Sequence, residues 1–254
     1  MPRRPVAIVS AMHDELSALL PVLCNPRSVR LAGREFSHGE IHGHPVVLVL
    51  SGIGKVAATA TAVLLLHEFN ARQLVFTGVA GGLRHDVKVG DVVVARQLLQ
   101  HDMDASPLFP RFEVPLTGRS HFDADAGLAD ALAAAARRCL DRVDASTRSA
   151  LNGLGLGTAS LHQGLIVSGD SFVSSKAQSD ALRALLPEAL AVEMEGAAVA
   201  QACADFDRPF AVLRTVSDRA DDNAHVDFTR FIADVAGAYT HAIVEDWLLH
   251  TPLA

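Results

Sequence analysis

The chain has 254 residues, half of them hydrophobic and 20% charged, with a formal net charge of −7. That length suits one large α/β domain or two small ones with a substantial core. The negative balance argues against a nucleic-acid partner, because the basic pairs Arg3-Arg4 and Arg137-Arg138 are isolated rather than clustered.

In chain order, Val6-Ala7-Ile8-Val9-Ser10 is a short β-branched run and reads as a buried strand. The run Val6–Val9 is too short for a signal peptide, and Asp14-Glu15 follow at once. Asp14 to about Leu23 reads as a helix. Glu35–Ile41 and Pro45–Ser51 read as a strand pair turned at His42-Gly43. Gly54 to Phe69 is Ala-rich, unbroken and helical. Gln73–Thr77 is a strand running into Gly78-Val79-Ala80-Gly81-Gly82, and Asp91–Leu99 is another. His101 to Phe122 lacks regular pattern and carries Pro107, Pro110 and Pro115 with Phe109 and Phe112. A loop of that length usually has a function. In a protein with only 5% aromatics, two phenylalanines there favour a rim or subunit contact.

Asp123 to about Cys139 reads as a helix, Ser160–Ser168 as a strand and Ser175–Leu186 as a helix. Ala189–Glu193 is a short strand, followed by a helix from Glu195 to about Asp205. Pro209–Val216 is a strand, and Asp227 to Leu249 a long C-terminal helix. Strands alternating with helices imply βαβ units, a mainly parallel sheet and helices on both faces. No interior linker or repeat interrupts the chain, which reads as one domain. Ligands of such sheets bind at the C-terminal ends of strands.

Three cysteines, odd in number and far apart, fit neither a disulfide framework nor a zinc site and point to a reducing cytosol. Twelve histidines are scattered without metal-ligand spacing, so no metal is expected. Apolar stretches such as residues 60–66, interrupted only by Thr61, fall far short of the ~20 residues that span a bilayer. A cytoplasmic protein without a membrane partner is the expectation.

Candidate chemistry lies at three strand ends. Asp14 and Glu15 follow the first strand; acids there also simply complement a helix N-terminus. Glu193 and Glu195 are spaced by two, so extended backbone would turn both to one side, where a carboxylate can take the two hydroxyls of a ribose. Arg214 sits inside an apolar strand, costly unless paired, and Ser217-Asp218 close that strand. Phe172, after the turn Gly169-Asp170, can form a platform for a flat heterocycle or merely fill the core. The segments Ser51-Gly52-Ile53-Gly54-Lys55 and Gly78–Gly82 are neither a P-loop nor a dinucleotide fingerprint.

As an ordered set, Ala11-Met12-x-x-Glu15, Ser51-Gly52-Ile53-Gly54-Lys55, Ala80-Gly81-Gly82-Leu83, Val89-Gly90-Asp91, Ser168-Gly169-Asp170, Val192-Glu193-Met194-Glu195 and Ser217-Asp218 resemble the 5′-methylthioadenosine/S-adenosylhomocysteine nucleosidases of the nucleoside phosphorylase superfamily. The match runs from about residue 6 to 235. The resemblance implies a single-domain, three-layer α/β/α protein around a central mixed, mainly parallel twisted sheet. It implies hydrolysis of the adenine–ribose bond with neither metal nor cofactor, by a homodimer whose Pro107–Pro115 loop reaches the neighbouring site. It further implies that Glu15 polarises the water and Glu195 holds the ribose hydroxyls, with Glu193 beside it. Met194 would lie along the sugar. Asp218, oriented by Ser217, would protonate adenine N7. Phe172 would stack on the base and the Val173 backbone would read its edge, with Met12, Ile53, Val79 and Phe228 as walls.

The expected transition state resembles an oxocarbenium ion with a departing adenine. Carboxylates stabilise the first, and a proton held by Asp218 near neutral pH assists the second. Two positions depart from the family pattern: Val79 stands where a serine is usual, and His13 opens the acidic run. Other readings are a hydrolase for another adenine nucleoside such as aminodeoxyfutalosine, a phosphorolytic relative, and a nucleoside-binding protein without catalysis. Phosphorolysis wants arginines where the first strand end offers Asp14 and Glu15.

Overall fold

The computed structural model describes residues 3–142, 156–221 and 237–253. Among them eleven strands join one sheet. These are β1 (Val6–Ser10), β2 (Cys24–Leu31), β3 (Arg34–Ile41), β4 (His44–Leu50), β5 (Gln73–Phe76), β6 (Val79–Gly82), β7 (Val92–Gln100), β8 (His121–Asp123), β9 (Leu161–Ser168), β10 (Ala189–Glu193) and β11 (Phe210–Asp218). The α-helices among the described residues are α1 (His13–Ser17), α2 (Lys55–His67), α3 (Ala126–Asp141), α4 (Lys176–Leu185), α5 (Gly196–Asp205) and α6 (Gly237–His250).

The sheet runs β2-β3-β4-β1-β5-β11-β6-β10-β9-β7-β8. The sheet is mixed: β1 lies parallel to β4 and β5, and β11 parallel to β5 and β6. The pairs β2–β3, β3–β4, β7–β8, β6–β10 and β7–β11 are antiparallel. Because β7 also pairs with β11, the strands β11, β6, β10, β9 and β7 form a closed ring. The ring brings the ends of β6, β10 and β11 close to one another.

Two cores flank the sheet, and β1 shows why. Its alternating side chains split: Ala7 and Val9 join the core with Ala58, Ala62 and Leu65 of α2 and Ala197 and Ala200 of α5. Val6 and Ile8 join the core with Leu128 and Leu132 of α3 and Ile243 and Trp247 of α6. All five residues of β1 are buried, which is why its pattern is continuous rather than alternating. Three layers result, α2 and α5 on one face and α3 and α6 on the other.

The described structure differs from the sequence-based reading in several places. The helix expected over Asp14–Leu23 is only His13–Ser17, followed by a single 3-10 turn at Leu20–Val22 that carries Pro21. Pro21 lacks the N–H that an α-helix interior would use. Strand β2 was not anticipated, because Cys24–Leu31 is an edge strand with an exposed, polar face. Helix α3 begins at Ala126 rather than Asp123: Asp125 is its N-cap, accepting from Leu128 N at 2.8 Å, and His121–Asp123 pair with β7. Of the C-terminal helix expected over Asp227–Leu249, residues 227–236 lie outside the described residues.

Candidate active site

A cleft opens where β1, β6, β10 and β11 end. Met12, Ile53, Val79, Phe172, Val173, Glu193, Met194, Glu195, Ser217 and Asp218 all line it, drawn from six separated stretches of sequence. The side chain of Glu15 and the whole of Phe228 lie outside the described residues; the backbone at Glu15 belongs to α1, which opens directly after Met12.

Asp218 is the last residue of β11 and is 2% exposed. The pairing register with β6 slips between Val216 and Asp218, a bulge of the kind that re-aims side chains beside active sites. Ser217 Oγ donates to Asp218 Oδ2 at 2.8 Å, and Ala220 N donates to Oδ1 at 2.8 Å. Strand β6 must pass closely here. A Cβ on Gly81 would lie 2.9 Å from Asp218 Oδ1 and 3.0 Å from Ala220 Cβ. The missing side chain of Gly81 therefore makes room for Asp218, while that of Gly82 makes room for Val216 and Val87.

Glu193 and Glu195 do not act as a matched pair. The chain bends at Glu195 (φ −138°, ψ −41°), the N-cap of α5. The Glu193 carboxylate turns onto the first amides of that helix. It accepts from Glu195 N at 3.2 Å and from Gly196 N at 2.8 and 3.0 Å, and from Ser168 Oγ. Ser168 Oγ in turn accepts from Ala197 N at 2.7 Å. These contacts satisfy donors that a helix start leaves unpaired and place negative charge at its positive end. Glu193 Oε2 also pairs with Arg214 NH2 at 2.7 Å, with side chains 3% and 1% exposed.

The remaining Arg214 contacts resolve the cost noted from sequence. NH1 donates to the carbonyls of Phe76 and Leu213 at 3.0 Å each, and the guanidinium lies 4.2 Å from the Phe76 ring centroid. Its Nε is buried without a hydrogen-bond partner among the described residues, and Arg214 lines the cleft. Sequence reading flagged the expense of this arginine without giving it a place in the site.

Glu195 Oε1 accepts from Gly54 N at 2.8 Å. Gly54 adopts φ +94°, a conformation costly for any side chain, so glycine there turns the amide toward Glu195. Phe172 is 44% exposed and is thus a wall rather than core filling, whereas Val173 is buried.

A polar cluster borders the cleft. Lys55 Nζ donates to Asp102 Oδ1 at 2.6 Å and Gln100 Oε1 at 3.2 Å, and lies 4.0 Å from Asp170 Oδ2. Burial works against a charged Asp102, but hydrogen bonds from Lys55 and the Asp170 amide, with the ammonium charge, outweigh it and hold the carboxyl below its ordinary range. Burial also pushes the neighbouring His101 imidazole below its ordinary value. Among the described residues, no group of three or more His, Cys, Asp or Glu side chains is placed to hold a metal. No helix among them is long and apolar enough to cross a membrane.

Residues 5–248 match the family model described as the phosphorylase superfamily. The chain is 35% identical over 227 residues to a 5′-methylthioadenosine/S-adenosylhomocysteine nucleosidase of Shewanella denitrificans, covering 89% of this chain and 91% of that protein. It superposes with a TM-score of 0.85 on the nucleosidase of the same name from Neisseria meningitidis, solved in complex with methylthio-immucillin-A, at 35% identity over 98% of this chain and 100% of that one. A futalosine hydrolase mutant of Helicobacter pylori matches with a TM-score of 0.81 and 31% identity, covering 97% of this chain and 99% of that one.

Proposed function

Because the chain belongs to the phosphorylase superfamily, among its 5′-methylthioadenosine/S-adenosylhomocysteine nucleosidases, we propose that its cleft carries out their hydrolysis residue by residue as follows. The enzyme is an N-glycosyl hydrolase that releases adenine and the 5′-thioribose from 5′-methylthioadenosine and S-adenosylhomocysteine. Water attacks ribose C1′, the bond to adenine N9 breaks, and the departing base takes a proton at N7.

The observation that carries this reading is the pair of buried carboxylates facing one cleft from different strand ends, each in its own hydrogen-bonding frame. Asp218, fixed by Ser217 and Ala220, addresses the leaving base. General-acid help of this kind is worth roughly 10²–10⁴-fold. Glu195, fixed by Gly54, takes the ribose hydroxyls and offsets the positive charge that develops on the sugar. Phe172 stacks on adenine and the Val173 backbone reads its edge. Met194 lies along the sugar, and Met12, Ile53, Val79 and Phe228 form walls. Glu15 polarises the water. Glu193 serves this site through Arg214 and the start of α5 rather than on the ribose itself.

Arg214 supports water over phosphate as the acceptor. It is the one cation among the described residues that line the cleft, and Glu193 already engages it. The likeness to a futalosine hydrolase favours a second reading, in which the same carboxylates act on aminodeoxyfutalosine. Adenine release measured on methylthioadenosine, adenosylhomocysteine, adenosine and aminodeoxyfutalosine, with and without phosphate, separates the readings. The expected result is phosphate-independent release, fastest from the 5′-thio nucleosides. Release that requires phosphate overturns hydrolysis, and a preference for aminodeoxyfutalosine installs the second reading.

The proposal extends to a single catalytic domain over residues 1–254 and to a cytoplasmic homodimer with the Pro107–Pro115 loop at its interface. Three free cysteines, one of them exposed, support a reducing compartment.

A further inference from the structure

We propose that Lys55 is a positioning residue that latches the sugar side of the cleft to its base side. Lys55 does not line the cleft, yet it ties the start of α2 to the segments that follow β7 and β9. Its backbone N–H donates to Asp170 Oδ1 at 2.8 Å, so a carboxylate from the loop after β9 caps α2, which has no side-chain cap of its own. Its ammonium, on a side chain only 15% exposed, donates to Asp102 from the segment after β7 and to Gln100 at the end of β7. Asp102 Oδ2 accepts from Asp170 N at 2.9 Å, closing a triangle of Lys55, Asp102 and Asp170. Gln100 Nε2 continues to Gln201 of α5 at 2.8 Å, so the cluster also grips the helix that Glu195 heads.

Two consequences follow for the cleft. One residue before Lys55, Gly54 N holds Glu195 Oε1, so the position of the α2 start sets the position of the ribose-binding carboxylate. Two residues after Asp170 stands Phe172, so the same ion pairs set the distance between base platform and sugar carboxylate. The loops cannot slide apart without separating an ammonium from two carboxylates in a partly desolvated place. A charge-assisted bond there is roughly twice as strong as a neutral one. Lys55 therefore acts through Glu195 and Phe172, both of which hold substrate before and during bond cleavage. Losing an interaction made equally in ground and transition states raises KM and leaves kcat nearly unchanged.

The latch rests on the hydrolase reading above, and its test is arranged to fail separately. Lys55→Met, Lys55→Arg, Asp102→Asn and the double variant Lys55→Met/Asp102→Asn are assayed for adenine release from methylthioadenosine, with thermal melts alongside. We expect KM to rise about tenfold in Lys55→Met and Asp102→Asn while kcat stays within about threefold. Lys55→Arg, which keeps a cation, recovers most of the loss. The double variant is no worse than either single one, because both remove the same coupling. KM unchanged in Lys55→Met, a fall in kcat at constant KM, or additive losses in the double variant each overturn the latch, whatever the melts show. Asp102→Asn removes only the partly exposed partner, so it carries the test if Lys55→Met fails to fold. If the unaltered protein releases no adenine, the hydrolase reading falls. The same variants are then read by calorimetric titration with a hydrolysis-resistant C-nucleoside analogue of methylthioadenosine, where unchanged affinity overturns the latch and about tenfold weakening sustains it.

Discussion

Asp218 accepts from Ser217 on one oxygen and from Ala220 on the other, so its carboxyl plane is held while β6 presses on it with nothing larger than a hydrogen atom. Its chemistry and its position can be broken separately. Asp218→Asn keeps the shape and removes the acid; turnover should fall by about 10²–10⁴-fold while adenine still binds by calorimetry. Gly81→Ala keeps the acid and places a methyl 2.9 Å from Oδ1, so kcat should fall by roughly tenfold or more, since small misplacements of catalytic groups are expensive. Turnover like that of the unaltered protein in either would remove Asp218 from its role. Glu193 answers to a different measurement. With Arg214 almost fully buried against it, Glu193→Gln strands a cation in the interior, a change that typically costs about 3–5 kcal/mol. Urea unfolding should show most of that loss, cushioned by the two carbonyls and the Phe76 ring. A loss below about 1 kcal/mol would mean that those cushions alone hold the arginine.

At the scale of elements, capping is where sequence and structure meet most directly. Asp125 accepts from Leu128 N and Ser175 from Gln178 N, so each side chain ends the disorder of a helix start locally. Asp125→Ala should cost about 1 kcal/mol in thermal or urea unfolding; no measurable change would mean that the tie of Asp125 N to Phe210 O suffices. The helix starting at Lys55 is capped instead by Asp170, 115 residues away, and that starting at Gly196 by Glu193 and Ser168. The Ser175 cap agrees with the helix start read from sequence, the Asp125 cap moves it by three residues, and the caps lent by Asp170 and Ser168 come from segments far away in the chain. The same distinction explains what else was legible. Buried strands such as Val6–Ser10 and Ala189–Glu193 announce themselves by apolar runs, and the long Ala-rich helices by unbroken pattern. The edge strand Cys24–Leu31 hides because its partner covers only its backbone. Strand β6 hides because two of its four residues are glycines, placed for close approach to Asp218, Val216 and Val87 rather than for a side-chain face. In the cleft, the motif residues were legible as a set, but the diverging directions of Glu193 and Glu195 were not. They depend on a bend at the N-cap and on Arg214, two strands away in the ring.

For the whole molecule, two properties follow from what is buried and what is left out. Burial holds the imidazoles of His44 and His101 below the ordinary 6.5, against the Thr251 carbonyl in the first and the Asp102 carboxylate in the second. In the unfolded chain both return to about 6.5, so below that pH the unfolded state binds more protons than the folded one. Stability is therefore unaffected above this window and falls as pH drops from 6.5 toward the folded values, by up to about 1.4 kcal/mol per unit for each group. Urea unfolding at pH 7.5, 6.5 and 5.5 should show the decline, and His101→Asn should make it shallower, leaving the His44 share. A flat profile across that range would contradict it. Assembly follows from what stays outside. The long loop after β7 was expected to offer Phe109 and Phe112, yet Phe112 packs toward the core around Val173. The same loop exposes Leu108 at 84% and Leu116 at 90%. Covering both in a subunit contact would contribute roughly 1.5–3 kcal/mol for each side chain. In the proposed homodimer, a second copy would present the same leucines by symmetry. Light scattering should give twice the chain mass for the unaltered protein and a monomer for Leu108→Asp/Leu116→Asp. A dimer that survives both substitutions would move the interface elsewhere. If the loop also reaches the neighbouring cleft, the monomeric variant should lose affinity for nucleoside along with its partner.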